Sequence, residues 1–258
     1  MSNDFTARRA AFRALHAEGC FALPNPWDIG SARRLEKLGF RALASTSAGA
    51  AWALGKEDGQ LSLDEVLQHL RMLCAATRLP VNADFENGFA PTAKGVGRNV
   101  ALAIETGVAG LSIEDWSGSA LYDLPTAVER LKAARAAIDA SGHDVMLVGR
   151  AEGYLRGARD LAQIVERLKA YAAAGADCLY APAVTDPEEL KAVVQAVAPK
   201  PVNALFWGPD MSLENLGALG VRRVSTGGSL AAAAWAGFDR AARSLAEEGR
   251  MPPRDARS

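Results

Sequence analysis

Pro80-Val81-Asn82-Ala83-Asp84-Phe85-Glu86 is a short apolar run, set off by a proline, that ends in two carboxylates. Gly110-Leu111-Ser112-Ile113-Glu114-Asp115 repeats the pattern some thirty residues on. Apolar runs of this length bounded by Gly or Pro read as buried parallel strands. Carboxylates at their ends are costly unless they face water, a cation or a metal. Six further runs fit the same reading: Phe21–Asn25, Ala42–Ser47, Val145–Arg150, Cys178–Pro182, Val202–Phe206 and Arg223–Thr226.

Between these runs lie amphipathic stretches with helical spacing, such as Leu63, Val66, Leu67, Leu70, Leu73 and Cys74. Ser62-Leu63-Asp64-Glu65 matches a capping box, and Asp186-Pro187 places an N-cap before a first-turn proline. Gly142 and Gly175 each stand before a strand, where a left-handed helix end is expected. Eight strand–helix units with no linker-like break predict a single α/β domain over residues 1–258, a (β/α)8 TIM barrel. A helical extension is expected at about 229–250, followed by a mobile tail at 251–258. A doubly wound open sheet is the alternative, but Asn25-Pro26-Trp27-Asp28 stands where its glycine-rich fingerprint belongs.

The 258 residues are 49% hydrophobic and 23% charged, with a formal net charge of -1, which argues against a nucleic-acid partner. No apolar run is long enough to span a bilayer, and the polar N-terminus has no signal-peptide core. Cys20, Cys74 and Cys178 show no metal-type spacing, in keeping with a cytoplasmic location. His16, His69 and His143 are isolated and read as surface or half-buried residues.

Barrel enzymes assemble their sites from the C-terminal ends of the strands. Those ends carry Asn25, Trp27 and Asp28; Ser45, Thr46 and Ser47, with Asp58 in the following loop; Asp84 and Glu86; Glu114 and Asp115; Arg150 and Glu152; Asn203; and Thr226. Several carboxylates without a histidine suit a hard cation, Mg²⁺ or Mn²⁺, rather than zinc. Arg150 is placed to clamp a substrate carboxylate or to pair with Glu152 or Glu114. Ser45-Thr46-Ser47-Ala48-Gly49 offers an anion-binding turn.

In order and spacing, Leu23-Pro24-Asn25-Pro26-Trp27-Asp28, Ser45–Gly49, Leu54–Gly59, Val81–Gly88, Ile113-Glu114-Asp115 and Pro201-Val202-Asn203 resemble the isocitrate lyase/phosphoenolpyruvate mutase superfamily over about residues 5–245. The resemblance implies a TIM barrel that binds Mg²⁺ and a 2-oxo acid at its mouth. It also implies a homotetramer, a dimer of dimers with swapped C-terminal helices. It assigns the metal to Asp84, with Glu86, Glu114 and Asp58 acting directly or through water. Thr46, Ser47, Ala48, Asp84, Arg150, Asn203 and Trp27 fall to substrate binding, and Arg150, Glu114 and Asp58 to catalysis.

One departure is decisive for the reaction. Isocitrate and methylisocitrate lyases carry a Lys-(Lys/Arg)-Cys-Gly-His loop after the fourth strand. Here that loop reads Asp115-Trp116-Ser117-Gly118-Ser119-Ala120-Leu121-Tyr122, and no lysine lies between Lys94 and Lys132. The expectation is an Mg²⁺-dependent C–C lyase or decarboxylase acting on a small 2-oxo or 2-hydroxy acid resembling oxaloacetate. A retro-aldol cleavage would need a base, for which Glu152, Tyr122 and Asp115 are the candidates. The alternatives are a mutase or phosphonopyruvate hydrolase and a non-catalytic 2-oxo acid binder. Gly118 and its small neighbours suggest a mobile loop over the mouth.

Overall fold

The computed structural model describes residues 5–208 and 211–252. Eight strands are present: β1 (Phe21–Leu23), β2 (Leu43–Ala44), β3 (Val81–Asp84), β4 (Gly110–Glu114), β5 (Met146–Arg150), β6 (Cys178–Tyr180), β7 (Val202–Leu205) and β8 (Arg223–Ser225). All pair in parallel, in the order β1-β8-β7-β6-β5-β4-β3-β2. The remaining seam, between β1 and β2, is bridged by the Ala44 N–H donating to Pro24 O at 3.0 Å. Asn25 reinforces it, donating from Nδ2 to Ser45 O and accepting on Oδ1 from the Thr226 and Gly227 N–H groups. The result is a nearly closed (β/α)8 barrel.

The helices are α1 (Phe5–Leu15), α2 (Ile29–Lys37), α3 (Ser47–Ala53), α4 (Leu63–Ala76), α5 (Ala93–Glu105), α6 (Leu124–Ser141), α7 (Leu161–Ala173), α8 (Pro187–Val197), α9 (Leu213–Ala218) and α10 (Ser229–Glu248). The caps expected at Ser62 and Asp186 form: Ser62 and Glu65 satisfy each other's backbone donors, and Asp186 accepts from the Glu188 and Glu189 N–H groups. Gly175 has φ +102°, and a Cβ there would also lie 2.7 Å from the Arg135 side chain. Only glycine fits on both counts.

Strand two is shorter than the sequence suggests. Thr46 leaves the sheet to cap α3, its hydroxyl accepting from the Gly49 N–H, so Ser47 opens a helix instead of ending a strand. The barrel interior is filled by Phe21, Leu23, Ala42, Ala44, Met146, Val148, Cys178 and Leu205. Phe12 of α1 joins this cluster and is fully buried. Arg9 holds α1 in place by donating to the carbonyls of Ile104 and Val108. The larger core lies between the sheet and the surrounding helices.

His16 is more deeply set than the surface or half-buried position expected of it. It is buried, with its ring edge-on to Phe12 and Phe21. No helix among the described residues is long and apolar enough to cross a membrane, and the three cysteines are unpaired. The helix expected at about 229–250 is α10, and the tail beyond Pro252 lies outside the described residues.

Candidate active site

A cavity of about 390 Å³ opens at the C-terminal end of the strands. Asp58, Glu86, Glu114, Arg150 and Ser47 all line it. Asp84 sits just below, on a smaller inner chamber that also includes Arg150. The Asp84 carboxylate accepts from the Ser47 N–H at 3.0 Å and from Arg150 Nη1 at 3.3 Å. Asp84 thereby ties the start of α3 to the end of β5.

The side chains are aimed by backbone choices. Asp84 closes β3, Phe85 inserts into the core with no exposure, and Glu86 takes φ +43°. A non-glycine residue in that region is strained, and such strain concentrates at functional sites. Glu114 ends β4 in register with Arg150 on β5. Its carboxylate lies 3.5 Å from Arg150 Nη1. Arg150 Nε donates to Glu152 at 2.6 Å.

The cavity carries too much negative charge for its cations. Burial first, then Asp84 and Asp58, pushes the Glu86 carboxyl up to about 8, against the opposing pull of Arg150. Burial raises Glu114 well above the usual carboxylate range, with Arg150 opposing and Glu152, Asp84 and Glu86 adding to the rise. Asp58 is also raised by burial, which outweighs a hydrogen bond from Ser47. Burial pulls Arg150 down, but Glu152, Glu114 and Asp84 outweigh it and hold the guanidinium well above its ordinary value. Glu86 Oε1 is buried without a hydrogen-bond partner.

An orphaned carboxylate oxygen beside excess acid is the setting a divalent cation would relieve. No three acidic side chains among the described residues form a ready-made cage. The histidines offer nothing to such a site. His16 is in the barrel floor, His69 lines a cleft outside the barrel, and His143 is exposed before β5.

Other residues singled out from the sequence fall elsewhere. Trp27 lines that outer apolar cleft with His69 and Met72, not the mouth, because the chain turns away at Asp28 to start α2. Thr46 is buried in its capping role, and Ala48 lines neither cavity. Asn203 is the second residue of a strand that continues to Leu205, so it lies in the inner chamber instead of at the rim.

Of the three candidate bases, Asp115 and Glu152 are held by arginines. Asp115 accepts from the Tyr171 hydroxyl at 2.6 Å, from Arg167 Nη1 at 3.0 Å and from the Glu152 N–H at 2.8 Å. Glu152 is fully buried between Arg150 and Arg156. The Tyr122 ring is covered by the Arg130 guanidinium, 4.4 Å from its centroid.

The loop after β4 lines the mouth through Trp116, Ser117 and Gly118. Trp116 and Leu121 form an antiparallel bridge, and the Ser117 hydroxyl bonds both the N–H and the carbonyl of Ala120. A residue not singled out from the sequence completes this rim. Arg156 lines the cavity, its guanidinium 4.6 Å from the Trp116 ring centroid and 3.0 Å from Glu152. Its four-residue spacing from Glu152 was the one available signal.

Comparison with known proteins follows the same lines. The profile of the phosphoenolpyruvate phosphomutase family matches residues 12–246. An oxaloacetate decarboxylase from Rhodopseudomonas palustris (strain BisB18) is 30% identical over 226 residues, covering 84% of this chain and 77% of the relative. A structure from Burkholderia cenocepacia J2315, proposed to be a lyase or mutase, matches with TM-score 0.93 and 46% identity over 96% of this chain and 91% of that one. Oxaloacetate acetylhydrolase bound to its product oxalate matches with TM-score 0.89 and 25% identity, over 98% of this chain and 91% of that one.

Proposed function

The chain belongs to the phosphoenolpyruvate mutase/isocitrate lyase superfamily, a group of C–C lyases and mutases, and from that premise we propose that it decarboxylates a small 2-oxo diacid of the oxaloacetate type. The observation that carries this reading is the composition of the mouth. Its lining holds no cysteine, lysine, histidine or tyrosine among the described residues. A retro-aldol cleavage needs a base for a hydroxyl proton, and the carboxylates of this lining are assigned to the metal; a departing CO₂ needs no base, and the enolate it leaves takes one proton from water.

In this reading Asp84, Glu86, Glu114 and Asp58 hold Mg²⁺ or Mn²⁺, directly or through water. When bound, the cation would supply Lewis-acid stabilisation of the charge that develops on the substrate carbonyl. Ser47, at the start of α3 and on the cavity lining, receives the carboxylate next to that carbonyl. Arg150, now held by three carboxylates, supplies a second positive field at the reacting centre. The far carboxylate meets Trp116 and Arg156. Glu152 and the indole face temper the Arg156 charge, so the rim can orient this group without holding it against departure.

Purified protein should release CO₂ and pyruvate from oxaloacetate with Mg²⁺ or Mn²⁺, faster than the metal alone, and chelator should abolish the difference. No turnover across a panel of 2-oxo and 2-hydroxy di- and tricarboxylates would sink the proposal. Turnover of phosphonopyruvate in preference would transfer it to the mutase and hydrolase branch. Binding of oxalate without any turnover would make the chain a 2-oxo acid binder. Arg156→Met should raise KM for a diacid by about tenfold, the scale of one charged contact. It should leave KM for a monocarboxylate analogue unchanged.

We also infer a homo-oligomer, with a dimer of dimers as the expected form. Within α10 only Ala231 is buried, while Trp235, Phe238 and Leu245 stand exposed.

A further inference from the structure

The inner chamber below the mouth has a volume of about 40 Å³. Arg223, the first residue of β8 and only 2% exposed, forms part of its wall. A buried guanidinium ordinarily meets a carboxylate, because an unpaired charge out of water is strongly disfavoured. Arg223 meets none among the described residues. Its Nε donates to Asn203 Oδ1 at 2.9 Å. Its Nη1 lies 3.3 Å from Asn82 Oδ1 and 3.4 Å from His16 Nε2, and the Phe12 ring centroid is 6.0 Å from Cζ.

All four neighbours are neutral. Burial, then the charge of Arg223, pushes His16 down to about 3, so its imidazole is uncharged at neutral pH. Its Nδ1 faces Phe12 O at 2.8 Å, which leaves Nε2 to accept from Arg223. The one acid on the chamber, Asp84, is engaged by Arg150. Arg150 is in turn met by Glu114 and Glu152. The positive charge of Arg223 is therefore uncompensated, and Nη2 takes part in none of these hydrogen bonds.

We propose that the chamber binds one small monovalent inorganic anion, of which chloride is the simplest, against Arg223. Hydroxyl groups of Ser45, Ser225 and Tyr180 line the same space; the Ser45 hydroxyl accepts from the Asp84 N–H at 2.8 Å and keeps its own proton to donate. A water needs roughly 10–15 Å³ of such space. The chamber thus has room for a halide. The anion would lock β8 through Arg223 to His16, just beyond α1, and to β3 and β7, whose residues already meet its guanidinium.

The test uses the unmodified protein first. Crystals grown in bromide should show an anomalous peak beside Arg223. The melting temperature should climb as chloride replaces gluconate at constant ionic strength. Arg223→Met should lose both the peak and the chloride dependence. Water alone in the chamber, or equal melting in the two salts, overturns the proposal. So does a bound oxalate whose carboxylate reaches Arg223, because the chamber would then belong to the substrate site. If Arg223→Met does not fold, the bromide map and salt series of the unmodified protein decide the matter, and neither depends on catalysis.

Discussion

Asp84 accepts from Ser47 and Arg150 at the mouth, whereas Asp115, on the neighbouring strand end, accepts from Tyr171, Arg167 and the Glu152 backbone behind the barrel wall. The two acids look alike in sequence and should respond oppositely to substitution. Asp84→Asn keeps the size and removes one charge from a crowded set of carboxylates, so the fold loses little. Metal-dependent turnover should fall by about 10²–10³ in kcat, the scale of losing one electrostatic element of a preorganised site. Steady-state decarboxylation with Mg²⁺, beside a melting curve, reads both; surviving activity would remove Asp84 from the metal site. Asp115→Ala leaves the Arg167 guanidinium and the Tyr171 hydroxyl without their acceptor in the interior. It should cost about 3–5 kcal/mol, as breaking a buried pair does. Urea denaturation measures it, and a change under 1 kcal/mol would show that the network is dispensable.

At the scale of elements, the eight strands and the helix starts at Ser62 and Asp186 are legible directly, since apolar runs and capping boxes are local signals. Neighbouring residues on a strand face opposite sides, so Glu114 and Asp115 cannot both line the mouth. What the sequence does not contain is where the strands stop. Barrel closure, not propensity, draws Thr46 out of β2 to cap α3 and leaves Asn203 inside. Arg156 and Arg223 were equally hidden, because a long side chain's destination depends on neighbours distant in sequence. The α1 plug is another such tertiary effect, and it predicts an acid sensitivity. His16 has its pKa lowered by burial and by Arg223 to about 3, against about 6.5 in an unfolded chain. Between those values the unfolded state binds a proton that the native state does not, so stability rises with pH across this window. The contribution is complete above about pH 6.5 and is lost as pH falls towards 3, amounting to about 2 kcal/mol by pH 5. His69, lowered to about 4 by burial, adds in the same sense. Denaturant midpoints at pH 7.5 and 5 should converge for His16→Gln relative to the unmodified protein; parallel losses would refute the assignment.

For the whole molecule, α10 is the part that one barrel does not explain. Its first turn is anchored: a Cβ added at Gly49 would come within 3.2 Å of Ala231, and one at Gly228 within 3.2 Å of Trp52. The rest runs on for several turns with Trp235 and Phe238 packed edge to face, ring centroids 5.8 Å apart, and Phe238 62% exposed. An aromatic pair with Leu245 along one helix is more apolar surface than an isolated helix should present to water. The formal net charge of -1 offers little repulsion between copies. Light scattering coupled to gel filtration at micromolar concentration should therefore find an oligomer. The double substitution Trp235→Glu and Phe238→Glu should shift it to a smaller species while circular dichroism stays that of the folded barrel, because neither side chain belongs to the barrel core. The smaller species should also melt earlier, since the apolar face of α10 would lose its partner, and its melting temperature should no longer rise with protein concentration. An unmodified protein that is monomeric at tens of micromolar, or a double variant of unchanged mass, would refute assembly through α10.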